Sequence, residues 1–100
     1  METEMPAWFV ITTKVHDREA FTSGYSPAVA ELAQQHGACY LLRGRQGRVL
    51  EGEGYEGGGA VIMEWPDAET AMAFWNSPEY AEIKKLREGI ADVSVTLVEG

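Results

Sequence analysis

Four side chains are of the types and at the positions to grip a small molecule: Tyr25, His36, Arg43 and Trp75. A phenol hydroxyl and an imidazole are polar tips on an otherwise apolar helical stripe, and each needs a partner when buried. A guanidinium closing an apolar strand matches a carboxylate through its planar fork. An indole offers a flat apolar wall. In an enzyme, an aromatic or enolic substrate would lie against Trp75 and Tyr25, with His36 as proton acceptor and Arg43 stabilising the anion. The same residues have plainer readings. Tyr25, His36 and Trp75 fit an ordinary core, and Arg43 fits an ion pair with a residue such as Glu64.

Other constellations are weaker. His36 and Cys39 could act as base and nucleophile, but no third group is in place to orient them, and Cys39 reads as a small buried hydrophobe in a strand. His16 and His36 are poorly spaced for a metal set, so no metal is expected, and His16 beside Asp17 reads as solvated. "GEGYEG" spells G-x-G-x-x-G with Gly52, Gly54 and Gly57. A dinucleotide loop needs a helix N-terminus after it, whereas "AVIMEW" reads as a strand, and Glu51, Glu53 and Glu56 repel phosphate. The stretch reads as a hairpin loop, and no cofactor is expected. Arg45 and Arg48 read as a solvated turn.

The elements that must position these groups follow from pattern. "AWFVITTKV" (Ala7 to Val15) reads as a strand. Asp17 is placed as a helix N-cap with Glu19 in the first turn. Phe21, Tyr25, Val29, Leu32 and His36 then form one stripe, interrupted at Pro27, which implies a kink or fresh start near Gly24 to Ser26. Gly37 ends the helix. "ACYLLRG" (Ala38 to Gly44) is a second strand, "RQG" a turn or bulge, "RVLEG" further extended chain, and Glu53 to Gly59 a flexible turn. "AVIMEW" (Ala60 to Trp65) is the third strand and "VSVTLVE" (Val93 to Glu99) the last. Between them Asp67 caps a helix with Ala68, Ala71, Met72 and Trp75 on one face. Ser77, Pro78 and Glu79 then make a second helix start, because proline at the first helical position lacks only an N–H that would be unpaired anyway. Tyr80, Ile83, Arg87 and Ile90 share the next stripe. The order β-α-β-β-α(α)-β is the ferredoxin-like split βαβ plan, α+β with an antiparallel sheet. Trp8 and Val10 oppose Phe9 and Ile11, and Ala60 and Ile62 oppose Val61, Met63 and Trp65. Both sheet faces are therefore apolar, and a second subunit is the simplest cover.

One hundred residues suit one domain, residues 1–100, with 1–4 read as a flexible extension. A chain of this length buries about 65% of its unfolded surface. Eight basic against sixteen acidic residues give a net charge of −8. That field disfavours nucleic acid and anionic lipid. No apolar run approaches a membrane span and no leader is visible at the start. The single cysteine permits no intrachain disulfide, so the cytoplasm is the expected compartment.

The segments "MPAWFVITTKVHDREAF", "YLLRGRQGRVLEGE", "VIMEWPDAETAMAFWNSPEY" and "LVEG" resemble domain-of-unknown-function family 1330, from Met5 to Gly100. The Arg43-Gly44, Glu64-Trp65-Pro66 and Ser77-Pro78-Glu79-Tyr80 steps carry the likeness. The chain departs from it around "RGRQGR", where family members commonly have Gly-Gly, and in its glycine turn. The resemblance implies the dimeric α+β barrel superfamily, in which two ferredoxin-like sheets pack face to face. It supplies no reaction. Three classes follow: a small-molecule enzyme, such as a cofactor-independent oxygenase or isomerase by superfamily analogy; a binding or stress-related module without turnover; and a structural dimer acting with a partner protein.

Overall fold

The computed structural model describes residues 5–52 and 58–100, which leaves the expected extension and most of the glycine turn outside the described residues. Strands β1 (Ala7–Val15), β2 (Cys39–Gln46), β3 (Gly59–Trp65) and β4 (Ala91–Glu99) form one sheet in the order β2-β3-β1-β4. All three pairings are antiparallel. Helices α1 (Arg18–Ala20), α2 (Ser26–Gln35), α3 (Ala68–Trp75) and α4 (Pro78–Lys84) make the two crossovers. This is the ferredoxin-like α+β plan read from the strand and helix pattern.

Local chemistry sets the helix boundaries. Asp17 accepts from the Ala20 amide at 3.1 Å and Asp67 from that of Thr70 at 2.7 Å, so each carboxylate satisfies an orphan donor of a first turn. At the corner between α3 and α4, the Ser77 hydroxyl accepts from the Tyr80 amide at 3.1 Å and donates to the Phe74 carbonyl at 2.8 Å. It thus starts one helix and seals the end of the other. Pro78 is the first residue of α4. In the first crossover the interruption takes a definite form. Phe21–Tyr25 is a π-helical turn between α1 and α2, and the Ser26 amide reaches back to the Phe21 carbonyl. Pro27, which has no amide hydrogen to give, follows at once.

The core lies between the helices and one sheet face. Trp65 and Phe74 are its largest fully buried side chains, with ring centroids 5.0 Å apart. Phe9 meets Trp65 edge-on at 5.1 Å, and Tyr80 lies 4.7 Å from Phe74. Such pairs add about 0.5–1.5 kcal/mol each beyond area burial. On α3 the buried positions are Ala71 and Phe74; Met72, expected on the core stripe, is exposed. The opposite sheet face is bare, with Val10 and Val98 40% and 43% exposed. Trp8 on that face donates its indole N–H to Glu64 at 3.0 Å.

Strand β2 departs most from expectation. It runs on through Gln46, and the "RVLEG" stretch after it is not strand. Tyr40 pairs with Met63 and Leu42 with Ile62, so two residues of β2 advance against one of β3. Leu42 to Arg45 then spans three residues against two from Ile62 to Ala60. Each shift inserts one residue, as in a β-bulge. Gly44, with φ +66°, supplies the left-handed conformation in the second. Cys39 pairs with Glu64 on the bare face and is exposed, not a buried hydrophobe as its strand position suggested.

The corner yields a stability prediction. Ser77→Ala lowers unfolding free energy by about 1–2 kcal/mol, since both a cap and a buried acceptor lose their partner. Pro78→Ala changes it little. Urea denaturation of the two variants measures the difference.

Candidate functional site

A cavity of about 90 Å³ lies between the helices and the sheet. Since roughly 10–15 Å³ of such volume holds one water, it has room for several waters or a small ring. Phe9, Ile11, Val61, Met63 and Val95 from the sheet give it an apolar floor. The π-turn and α2 contribute Phe21, Tyr25 and Val29. Residues four apart drift about 40° around an α-helix; the wider turn at Phe21–Tyr25 keeps all three on one wall.

Polar groups enter at few points. The Tyr25 and Tyr80 hydroxyls are 2.9 Å apart and joined by a hydrogen bond. Tyr40 and Arg43 line the opposite wall, the guanidinium 4.8 Å over the Tyr40 ring. Residues three apart on a regular strand face opposite ways; the bulge between Tyr40 and Leu42 puts both on the cavity side. Trp75 lines the cavity as well, 5.9 Å from Phe9 and 5.3 Å from Tyr80.

Tyr25 and Tyr40 are held neutral. Burial pushes the Tyr25 hydroxyl far above the usual range, its neighbour Tyr80 adds to the shift through charge and hydrogen bond, and Arg87 opposes it. Burial also raises Tyr40, with Arg43 pulling back. No carboxylate or imidazole lines the cavity among the described residues. The wall can therefore donate hydrogen bonds and stabilise negative charge, but it offers no ready proton acceptor near neutral pH.

Tyr25, Arg43 and Trp75 thus share one cavity, as their positions suggested. His36 does not join them. It caps the C-terminus of α2, where the backbone leaves the helix (φ −94°, ψ 7°), and its Nδ1 donates to the Leu32 carbonyl at 3.0 Å. Its ring meets Phe74 edge-on at 5.6 Å at the end of α2, and His36 is not among the residues that line the cavity. The role of proton acceptor in this cavity is therefore withdrawn from it. The alternative Arg43–Glu64 ion pair does not form either, because Glu64 faces the other side of the sheet and holds Trp8. Tyr40 and Tyr80 were missed. Tyr80 had a signal, since it opens the apolar stripe of the second helix and so faces the core, as Tyr25 does. Among the described residues no three His, Cys, Asp or Glu side chains gather as metal ligands.

The family model described as Domain of unknown function (DUF1330) matches residues 6–100. The chain belongs to the DUF1330 family. Its fold is similar to that of a protein of unknown function from Rhodopseudomonas palustris, at 19% identity and TM-score 0.75, over 98% of this DUF1330 chain and 84% of that one. It is also similar to SnoaB, a cofactor-independent oxygenase from Streptomyces nogalater, at 14% identity and TM-score 0.69, over 93% and 90% of the two chains. An ethyl tert-butyl ether d (ethd) family protein from Bacillus halodurans C-125 is more distant, at 14% identity and TM-score 0.50, over 92% and 96%. No curated protein matches the DUF1330 sequence.

Tyr25 sets a pH dependence. A phenol whose pKa is raised by folding is neutral in both states below its ordinary value near 10, so its contribution is whole there. Above that value the unfolded chain releases the proton first, and stability falls as pH rises. Urea midpoints should decline from about pH 10 upward, and less steeply in Tyr25→Phe. In that variant Tyr80 loses its partner at a cost of about 1–3 kcal/mol, of which the further change Tyr80→Phe recovers part.

Proposed function

We propose that the helix–sheet cavity binds a small, mainly apolar molecule carrying one polar group, in a cytoplasmic homodimer of single-domain chains. The observation that carries this reading is the composition of the wall: an apolar floor, with polarity confined to the phenols of Tyr25, Tyr40 and Tyr80, the Arg43 guanidinium, and Thr13 and Ser26. That is the pattern of a site in which burial supplies affinity and a few polar groups fix orientation. Tyr25, Arg43 and Trp75 are the binding residues of this reading, and Arg43 is its one retained candidate for a catalytic role.

Whether the molecule is converted or only held divides the remaining readings. The likeness to SnoaB supports conversion, through fold alone. The lack of a carboxylate or imidazole on the described wall favours a non-catalytic binding or interaction module. An oxygenase on this frame would depend on a substrate that ionises easily or a base brought by the substrate itself.

The dimer reading rests on the bare sheet face. The Cα envelope is only 17 Å across its thinnest direction, one helix layer on one sheet. Val10, Ile62 and Val98 lie on the uncovered side. No helix is long and apolar enough to cross a membrane among the described residues.

Two measurements test these readings. Titration with phenol or toluene, followed by amide resonances, should shift Tyr25, Val61 and Trp75 with Kd on the order of 1–10 mM. Saturable shifts elsewhere, or none, would reject the cavity as the site. Sedimentation equilibrium at micromolar concentration should give twice 11.0 kDa. Ile62→Lys should return the monomer, since a charge buried on that face is left unpaired.

A further inference from the structure

Three cations stand on the aromatic wall of the cavity. The Arg43 guanidinium lies 4.8 Å over the Tyr40 ring, that of Arg87 5.5 Å over Tyr25, and the Lys84 ammonium 4.7 Å over Trp75. All three rings line the cavity. The chain has eight basic residues and sixteen acidic ones, so carboxylates are in excess. Yet the ion pairs among the described residues are His16 with Asp92 and Lys85 with Glu82, and none of the three stacked cations is in one. Glu88 and Asp92 share a groove with Lys84 and Arg87 on their outer side without pairing to them. A guanidinium over a ring spends no N–H on an acceptor there, so its donors are left for a planar anion. Beside the two arginines sit three phenols: one O–H of the Tyr25–Tyr80 pair is spent on the bond between them, and the other O–H and that of Tyr40 can donate to an anion.

We infer that the cluster of Tyr25, Tyr40 and Tyr80 between Arg43 and Arg87 is an anion site, so that the molecule taken into the cavity presents a planar carboxylate or enolate there and an apolar ring toward Phe9 and Trp75. Arg43 contacts the anion. Arg87, outside the lining and behind Tyr25, is a positioning residue that holds the ring and adds positive potential. This inference rests on the cavity being a binding site.

Benzoate and its neutral counterpart benzyl alcohol separate the two claims. On the full chain, followed by amide resonances or calorimetry, benzoate should bind about tenfold more tightly. The gap should close in Arg43→Gln, whose exposed side chain can be replaced without unfolding, and narrow in Arg87→Gln. If Arg87→Gln loses its circular dichroism, Arg87→Lys replaces it: charge is kept and the flat stack is lost, and the gap should shrink part of the way. Equal affinity for the two probes, or a gap that survives Arg43→Gln, overturns the anion site and leaves the cavity reading standing. Binding of neither probe overturns both.

Discussion

The two crossovers of this fold are separate in sequence, and where they pack together they share a buried hydrogen bond between the Tyr25 and Tyr80 hydroxyls. Tyr25 comes from the first crossover and Tyr80 from the second, and both rings are buried. Such a bond contributes only about 1 kcal/mol net, but leaving either hydroxyl alone costs more. It therefore acts less as glue than as a registration mark. The helix layer can close over the sheet only where both phenols are satisfied, and the cavity is what remains beneath them. The elevated protonation range of Tyr25, the placement of Trp75 against Tyr80 and the stack of Arg87 on Tyr25 all presuppose that meeting point.

Aromatic packing decides where the empty space falls. Phe74 sits against Phe9, His36, Trp65 and Tyr80, and fills one end of the helix–sheet gap. Trp65 is so enclosed that its indole N–H has no partner among the described residues. Toward Thr13, Gly44 and Val93 the gap stays open, walled by Phe21, Tyr25, Tyr40 and Trp75. Phe9, Tyr25, Met63, Phe74 and Tyr80 belong both to the core cluster and to the cavity wall, so packing and cavity shape draw on the same side chains.

What could be read from residue order was what local chemistry enforces. Asp17, Asp67 and Ser77 announce helix starts because a side-chain oxygen reaches its own first turn. The alternation of Phe9 and Ile11 against Trp8 and Val10 fixes the sheet faces, and with them the side on which Tyr25 and Trp75 must meet the sheet. The misreadings occurred where the regular period fails. The residue inserted in β2 between Tyr40 and Leu42 reverses the facing of Arg43 relative to Tyr40, so a strict two-residue alternation would never pair them. His36 continues a stripe on paper, but the helix ends beneath it and turns the imidazole onto its own backbone. Met72 and Phe74 are two residues apart, about 200° around the helix; the face turned to the core is the one that carries Ala71 and Phe74, which leaves Met72 outside. Arg87 is the last residue of a short 3₁₀ turn, Lys85–Arg87, after α4, where a 3.6-residue period no longer predicts direction.

Strand β2 is an edge of the sheet, and its ladder to β3 is broken twice. An edge with unpaired amides and carbonyls ordinarily invites another chain to add a strand. Here the spacing of those groups is irregular, and Leu41 projects at one break, 56% exposed. A straight strand laid along that edge would find its hydrogen-bond partners out of step within a few residues. The distortion that aims Arg43 at the cavity therefore also sets this edge against open-ended, edge-to-edge growth into fibrils.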